Sequence, residues 1–226
     1  MTRLIQPELL DTLPPDHPDA MRSRRDLRRV NAWMGNHRVM ARVLRDRFPV
    51  APKRIAEIGA GDGHFLLRVA EITGWRNVDA ILVDLQKNIS AETIDAFARL
   101  GWRAQPVVAD VFDWNDPADV IVANLFLHHF DDQRLRTLLE RIARHSEQLE
   151  QFVAVEPHRF AFPPICGQLL RFIGCNAVTR HDATVSVGAG FIRQEISSLW
   201  PDKERWKWIE RRAGIFSHLF VAQKKR

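Results

Sequence analysis

Residues 54–67 read RIAEIGAGDGHFLL, and the reading of this stretch decides the fold. Ile55, Ala56 and Ile58 open it as an apolar strand, and Gly59, Gly61 and Gly63 follow at alternate positions. Phe65, Leu66, Val69 and Ala70 then continue at helical spacing. Glycine accepts a sharply turned backbone and puts no side chain between that backbone and a ligand. The helix that follows aims its first N–H groups into the bend. The spacing is GxGxG with Glu57 two residues ahead of it, whereas a dinucleotide fingerprint runs GxGxxG. By itself the bend predicts an adenosine-type cofactor at the end of a first strand.

Downstream of the bend, strands and helices alternate. NVDAILVD (77–84) reads as a second strand ending at Asp84, and ISAETIDAFARL (89–100) as a helix capped by Ser90. RAQPVVAD (103–110) and ADVIVANL (118–125) read as the third and fourth strands. DDQRLRTLLERIARHS (131–146) is a periodic helix and QFVAVE (151–156) a fifth strand. Val/Ile/Ala-rich strands separated by helices imply a doubly wound, mainly parallel α/β sheet covered on both faces. The alternation fails over residues 158–190, expected to be irregular apart from a helix at 165–173, and a further helix is expected at 193–199. RWKWIERR (205–212) and IFSHLFVAQK (215–224), either side of Ala213-Gly214, read as a closing antiparallel hairpin.

Upstream, residues to about Asp19 are proline-rich and acidic, an arm with at most a helical turn. Residues 22–48 are helical in pattern, with Gly35 as a break or a point of close approach. The expected organisation is an arm and helical lid over 1–50 and a cofactor-binding domain over 51–226, with 160–190 as a substrate-side cap.

The 226 residues suffice for one sizeable domain. A net charge of +5 fits solvated helix faces better than a nucleic-acid surface. Cys166 and Cys175 make neither a disulfide framework nor a CxxC metal site, so no metal is expected, and reduced thiols suit a cytoplasmic protein. No stretch offers the roughly 20 apolar residues of a membrane span, and the N-terminus lacks a signal-peptide core. Seven tryptophans with no tyrosine suggest packing, not a base-stacking platform.

Three carboxylates fall at strand ends, where open α/β sheets bind ligands: Glu57, Asp84 and Asp110. Asp84 lies 23 residues after Gly61, the spacing of an acid that grips a ribose diol. EIGAGDG (57–63), VDLQ (83–86), VADVFDW (108–114) and NLFLHHF (124–130) resemble the successive motifs of class I S-adenosylmethionine-dependent methyltransferases, over about Arg54 to the C-terminus. The resemblance implies a seven-stranded sheet whose last strand enters antiparallel beside the fifth. By position it implies Gly59, Ala60, Gly61 and Gly63 along the methionine and ribose, with Glu57 orienting the amino end. Asp84 with Leu85 would hold the ribose hydroxyls, Asp110 with Val111 the adenine, and Asn124 would stand beside the cofactor. LRRVNAWMGNHR (27–38) and RHDATVSVGAGF (180–191) are similar to a bacterial subgroup of small methyltransferases linked with secondary metabolism.

Methyl transfer from a sulfonium mainly requires positioning of the acceptor, with a general base for an oxygen or nitrogen nucleophile. Candidates for that base are His128 and His129 after the fourth strand, and His181 with Asp182 in the irregular segment; Glu156 and His158 stand at the same rim. Asn31, Asn36 and His37 lie where a lid helix would offer a polar contact. Phe160, Phe162, Pro163, Pro164, Ile165, Leu169, Leu170 and Phe172 form an apolar stretch expected to pack over the pocket mouth. NLFL (124–127) stands where nucleic-acid amino methylators carry Asn/Asp-Pro-Pro-Tyr/Phe, which argues against DNA adenine methylation. The expectation is methyl transfer to a small-molecule acceptor, through oxygen, with carbon and nitrogen acceptors open. A macromolecular acceptor (RNA or protein), a silent cofactor-binding module, a nicotinamide enzyme and a homodimer all stay open.

Overall fold

The computed structural model describes residues 2–14, 16–145, 147–159 and 164–225, and the side chains of 164–166 lie outside that description. Three helices precede the sheet: α1 (Leu9–Thr12), α2 (Pro18–Met34) and α3 (Asn36–Arg47). Gly35 separates α2 from α3 at φ 71°, and a Cβ there would meet nothing within 4 Å. The glycine therefore serves the left-handed turn and not a close contact.

The alternating region gives β1 (Arg54–Ile58), α4 (His64–Thr73), β2 (Val78–Asp84), α5 (Ala91–Arg99), β3 (Trp102–Val108) and β4 (Val120–Asn124). After a 3-10 turn at Leu127–His129 come α6 (Asp132–Ala143) and β5 (Gln151–Pro157). Ser90 caps α5 as expected, its hydroxyl accepting from the Thr93 N–H at 3.2 Å. β3 stops two residues short of Asp110 because Asp110 begins a turn, its carboxylate accepting from the Phe112 N–H at 2.9 Å.

The chain closes with α7 (Pro164–Phe172), α8 (Ala177–Ala189), α9 (Glu195–Leu199), β6 (Trp206–Ala213) and β7 (Ser217–Lys224). Residues 177–189, expected to be irregular, are thus a full helix capped by Asn176. Val178, Thr179, Thr184, Val185 and Val187 depress its helix propensity, and tertiary contact overrides that weak preference. The order β3-β2-β1-β4-β5-β7-β6 confirms the expected seven-stranded sheet with its antiparallel closing hairpin.

Each face of the sheet carries its own core. Ile55, Leu82, Val122 and Val153 pack with Met40, Leu44, Leu66 and Phe97 from α3, α4 and α5. Ala56, Ile121, Phe152 and Phe220 pack with Leu135, Leu139, Ile196 and Trp200 on the other side. Trp200 stacks on Phe152 at 5.6 Å and meets Trp206 edge-on at 5.3 Å, a packing role for these two tryptophans, whereas Trp33 is 62% exposed. Strand order reverses between β1 and β4, so the end of β1 and the end of β4 bound the crevice where such sheets bind ligands.

α8 and α2 join through a buried polar seam. The Asp26 carboxylate accepts from the Asn176 N–H at 2.8 Å, and the Ser23 and Thr179 hydroxyls share a 2.9 Å bond. Of the apolar stretch expected over the pocket mouth, 160–163 lie outside the described residues, as do the side chains of Pro164 and Ile165. Leu170 is buried beside Val30 and Cys175, while Phe172 is 87% exposed.

Candidate functional site

Gly59, Gly61 and Gly63 have φ of 67°, 55° and 74°, a region open to glycine and costly for other residues. They differ in what forbids a side chain. A Cβ on Gly59 would lie 2.2 Å from the Phe126 ring, whereas one on Gly61 would project into open space. The outer side of the bend at Gly61 is therefore free for a ligand.

Asp84 builds this bend. One carboxylate oxygen accepts from the Gly61 N–H at 2.8 Å and the other from the Gln86 N–H at 2.9 Å. Its carbonyl accepts from the Ala109 N–H at 3.0 Å, which brings Asp110 alongside, and Val83 takes the Ala60 N–H at 3.0 Å. The two aspartates and the glycine bend thus share one rim. Leu85 is 70% exposed there and Ala60 is buried, while Val111 packs at the edge of the α6-side core.

Glu57, 2% exposed, carries a buried Oε2 with no hydrogen-bond partner among the described residues. Burial, with Asp62 and Asp84 nearby, pushes its carboxyl well above the usual range. An orphaned acid beneath a bare-backbone bend fits a ligand that brings a cationic amino group. Asp62 is drawn to the lid, where its carboxylate accepts from Arg28 Nε at 2.7 Å.

Asn124, at the end of β4, accepts from Asn36 Nδ2 at 3.0 Å and donates to Asn31 Oδ1 at 3.2 Å. Ser217 completes the chain, its hydroxyl donating to Asn36 Oδ1 at 2.6 Å. Asn31 and Asn36 thereby tie α2 and α3 to the end of β4. His37 is held below the usual imidazole range by burial and by Arg38 and Arg68.

The four proposed acid–base residues play unequal parts. His128 is 3% exposed, its Nδ1 2.9 Å from Glu156 and its Nε2 3.2 Å from Glu8. Burial alone would lower its pKa, but hydrogen bonds to the two carboxylates outweigh burial and raise it to about 9. Glu156 also accepts from the Phe126, Leu127 and His128 N–H groups, so the pair braces the turn after β4. With each ring nitrogen facing a carboxylate, His128 has no nitrogen turned to an acceptor in this arrangement.

His129 differs. Burial and the neighbouring His128 charge lower it to about 4, so it is neutral, and its Nδ1 lies 3.6 Å from Asp11. Neither histidine caps α6, since Asp131 does so through the Arg134 N–H at 2.8 Å.

His181 and Asp182 sit on α8 and not in a loop. Asp182 accepts from the Leu9 and Leu10 N–H groups at 2.8 and 3.0 Å, and His181 Nδ1 is 3.0 Å away. The pair anchors α1. His158 lies past β5, its backbone N–H bonded to Phe216 O at 2.8 Å.

Sequence reading missed Glu8, Asp11 and Ser186, whose hydroxyl donates to Glu8. They come from the proline-rich arm and from α8, far from His128 in sequence, and no spacing rule joins them.

Comparison with known proteins gives a consistent answer. Residues 55–148 match the family model described as Methyltransferase domain. No curated protein matches the chain. Among solved structures it resembles a putative O-methyltransferase from Nostoc punctiforme PCC 73102, at 16% identity and TM-score 0.64, over 94% of this chain. The chain spans 62% of that protein's length. It also resembles the plantazolicin methyltransferase BpumL, solved with SAH, at 14% identity and TM-score 0.65, over 93% of this chain and 92% of that one. A third is the magnesium protoporphyrin IX methyltransferase ChlM from Synechocystis PCC 6803, at 11% identity and TM-score 0.57, over 85% and 83% of the two chains. At these identities the likeness is one of fold. No helix among the described residues is long and apolar enough to cross a membrane.

Proposed function

We propose that this chain, a member of the methyltransferase-domain family over residues 55–148, moves a methyl group from S-adenosylmethionine to an oxygen of a small-molecule acceptor. The observation that carries this reading is the shared rim: the Gly61 bend held by Asp84, Asp110 alongside, and Asn124 across the crevice. In this reading Glu57, Gly59–Gly63, Asp84, Asp110 and Asn124 hold the cofactor. When bound, it supplies a methyl group on a sulfonium, a leaving group that needs no protonation.

The protein's task is then to place the acceptor in line and exclude water, which is worth about 7–11 kcal/mol when geometry is held. Asn31 and Asn36 close the lid over Asn124. Phe112, Phe126 and Phe130 form an edge-to-face aromatic wall, which suits an apolar acceptor of secondary metabolism. Neutral His129, beside Phe126, is the histidine that serves the acceptor oxygen.

A macromolecular acceptor is less well supported because two of the basic groups of α2, Arg28 and Arg29, are occupied. Arg28 pairs with Asp62, and Arg29 with Asp26 and the Ile173 carbonyl. The test is transfer of labelled methyl to a panel of hydroxylated aromatic and acyl compounds, to RNA and to protein. Label on a small-molecule oxygen is expected, with kcat falling by roughly 10²-fold in His129→Ala. Label on RNA or protein alone would overturn the small-molecule reading, and cofactor binding without transfer to any acceptor would indicate a silent module.

A further inference from the structure

Around the turn after β4, three carboxylates stand against two adjacent imidazoles. Glu8 and Asp11 arrive from the N-terminal arm and Glu156 from β5. The cationic groups facing them are Arg3 and His128, the latter held between Glu8 and Glu156. Arg3 is bonded to Asp132 at 2.8 Å and to the Phe130 carbonyl at 2.9 Å. Carboxylates thus outnumber guanidinium around the two imidazoles, with Glu8, His128 and Glu156 buried.

The arrangement has the form of a metal centre. One donor atom each from Glu8, His128 and His129 lies within 4.8 Å of the other two. Glu8 Oε1 and His128 Nε2 are 3.2 Å apart, close to the ~3.3 Å edge of a tetrahedron with bonds of about 2.0 Å. The other nitrogen of His128 is fixed by Glu156, whose oxygens are held by three backbone N–H groups. A carboxylate that orients a histidine through its far nitrogen is the usual support of a metal-binding imidazole. Ser186 donates to Glu8 and so supports the second ligand in the same way.

We propose that Glu8, His128 and His129 bind one divalent transition-metal ion of the zinc type, with Glu156 and Ser186 as positioning residues. Two imidazoles and one carboxylate suit zinc, whose catalytic sites keep three protein ligands and one open position. Asp11 lies 3.6 Å from His129, and the Phe126 ring that packs against Gly59 is 6.5 Å from the His129 ring, so the centre adjoins the cofactor rim. The open position would take water or the acceptor oxygen, so with the ion bound His129 serves that oxygen through the metal and not as a free base; for this last point alone the inference rests on the proposed methyl transfer.

The experiment uses the full chain, stripped with chelator, reloaded with Zn²⁺ or Co²⁺ and freed of excess metal. About one zinc per chain is expected by elemental analysis, and the Co²⁺ form should show the strong visible absorption of a four-coordinate site. Glu8→Gln and His129→Asn should each lose the metal while S-adenosylhomocysteine affinity, measured on the same samples, reports an intact fold. Wild-type protein without stoichiometric zinc, or full retention in both variants, would overturn the site. Nucleoside binding without zinc defeats only the metal centre, and zinc without nucleoside binding defeats only the methyl-transfer reading.

Discussion

At the scale of single residues, Glu57 holds the most informative charge. It sits under the glycine bend with one oxygen unpaired, and its carboxyl is pushed up by burial first and by Asp62 and Asp84 after that. A folded-state pKa above the unfolded one favours the fold fully below the unfolded value, and that contribution is lost as pH rises through the folded one. Without ligand, Glu57→Gln should therefore gain in Tm over the wild type as pH rises from about 5 to 9. A Tm difference that does not change with pH would show that Glu57 ionises normally. The motif made this residue legible as a strand-end acid. Its unpaired oxygen was not, because that depends on where the Leu66 backbone and Asp62 finish.

At the scale of elements, the N-terminal arm is part of the site. Arg3 reaches the Phe130 and Ala189 carbonyls, the Leu4 N–H donates to Gly188 O at 3.1 Å, and Asp182 takes the first amides of α1. Gly190 permits the same closure at the far end of α8, since a Cβ there would lie 2.4 Å from Pro157 O. Asp182→Ala leaves two N–H groups without their acceptor, at a cost of about 1–3 kcal/mol. Hydrogen exchange should then lose protection at Leu9 and Leu10, whereas unchanged protection would mean that the arm docks without Asp182. A four-residue helix in a proline-rich arm has no periodicity to detect, and α8 is masked by its valines and threonines. Glu8 and His128 are 120 residues apart, so their meeting is a product of topology alone.

At the scale of the whole molecule, the parallel sheet and its closing hairpin were readable because each strand is a short apolar run bounded by turn residues. The β1 bend and the acids at strand ends were readable for a related reason, since a ligand at a topological switch point must be met by adjacent strand ends. The helical cap above that rim was only partly readable. It is joined by side-chain bonds such as Asn31–Asn124, Asp26–Asn176 and Ser23–Thr179, which span sequence distances that no local pattern records. What the domain does follows from the one place where bend, acids and cap meet.

Titration calorimetry of the intact chain with S-adenosylhomocysteine bears on that meeting point most directly. One site per chain is expected, weakened by about tenfold or more in Gly61→Ala, whose added Cβ meets only the ligand side, and in Asp84→Asn. No binding by the wild-type chain, or equal affinity in all three proteins, would contradict an adenosyl pocket at this rim.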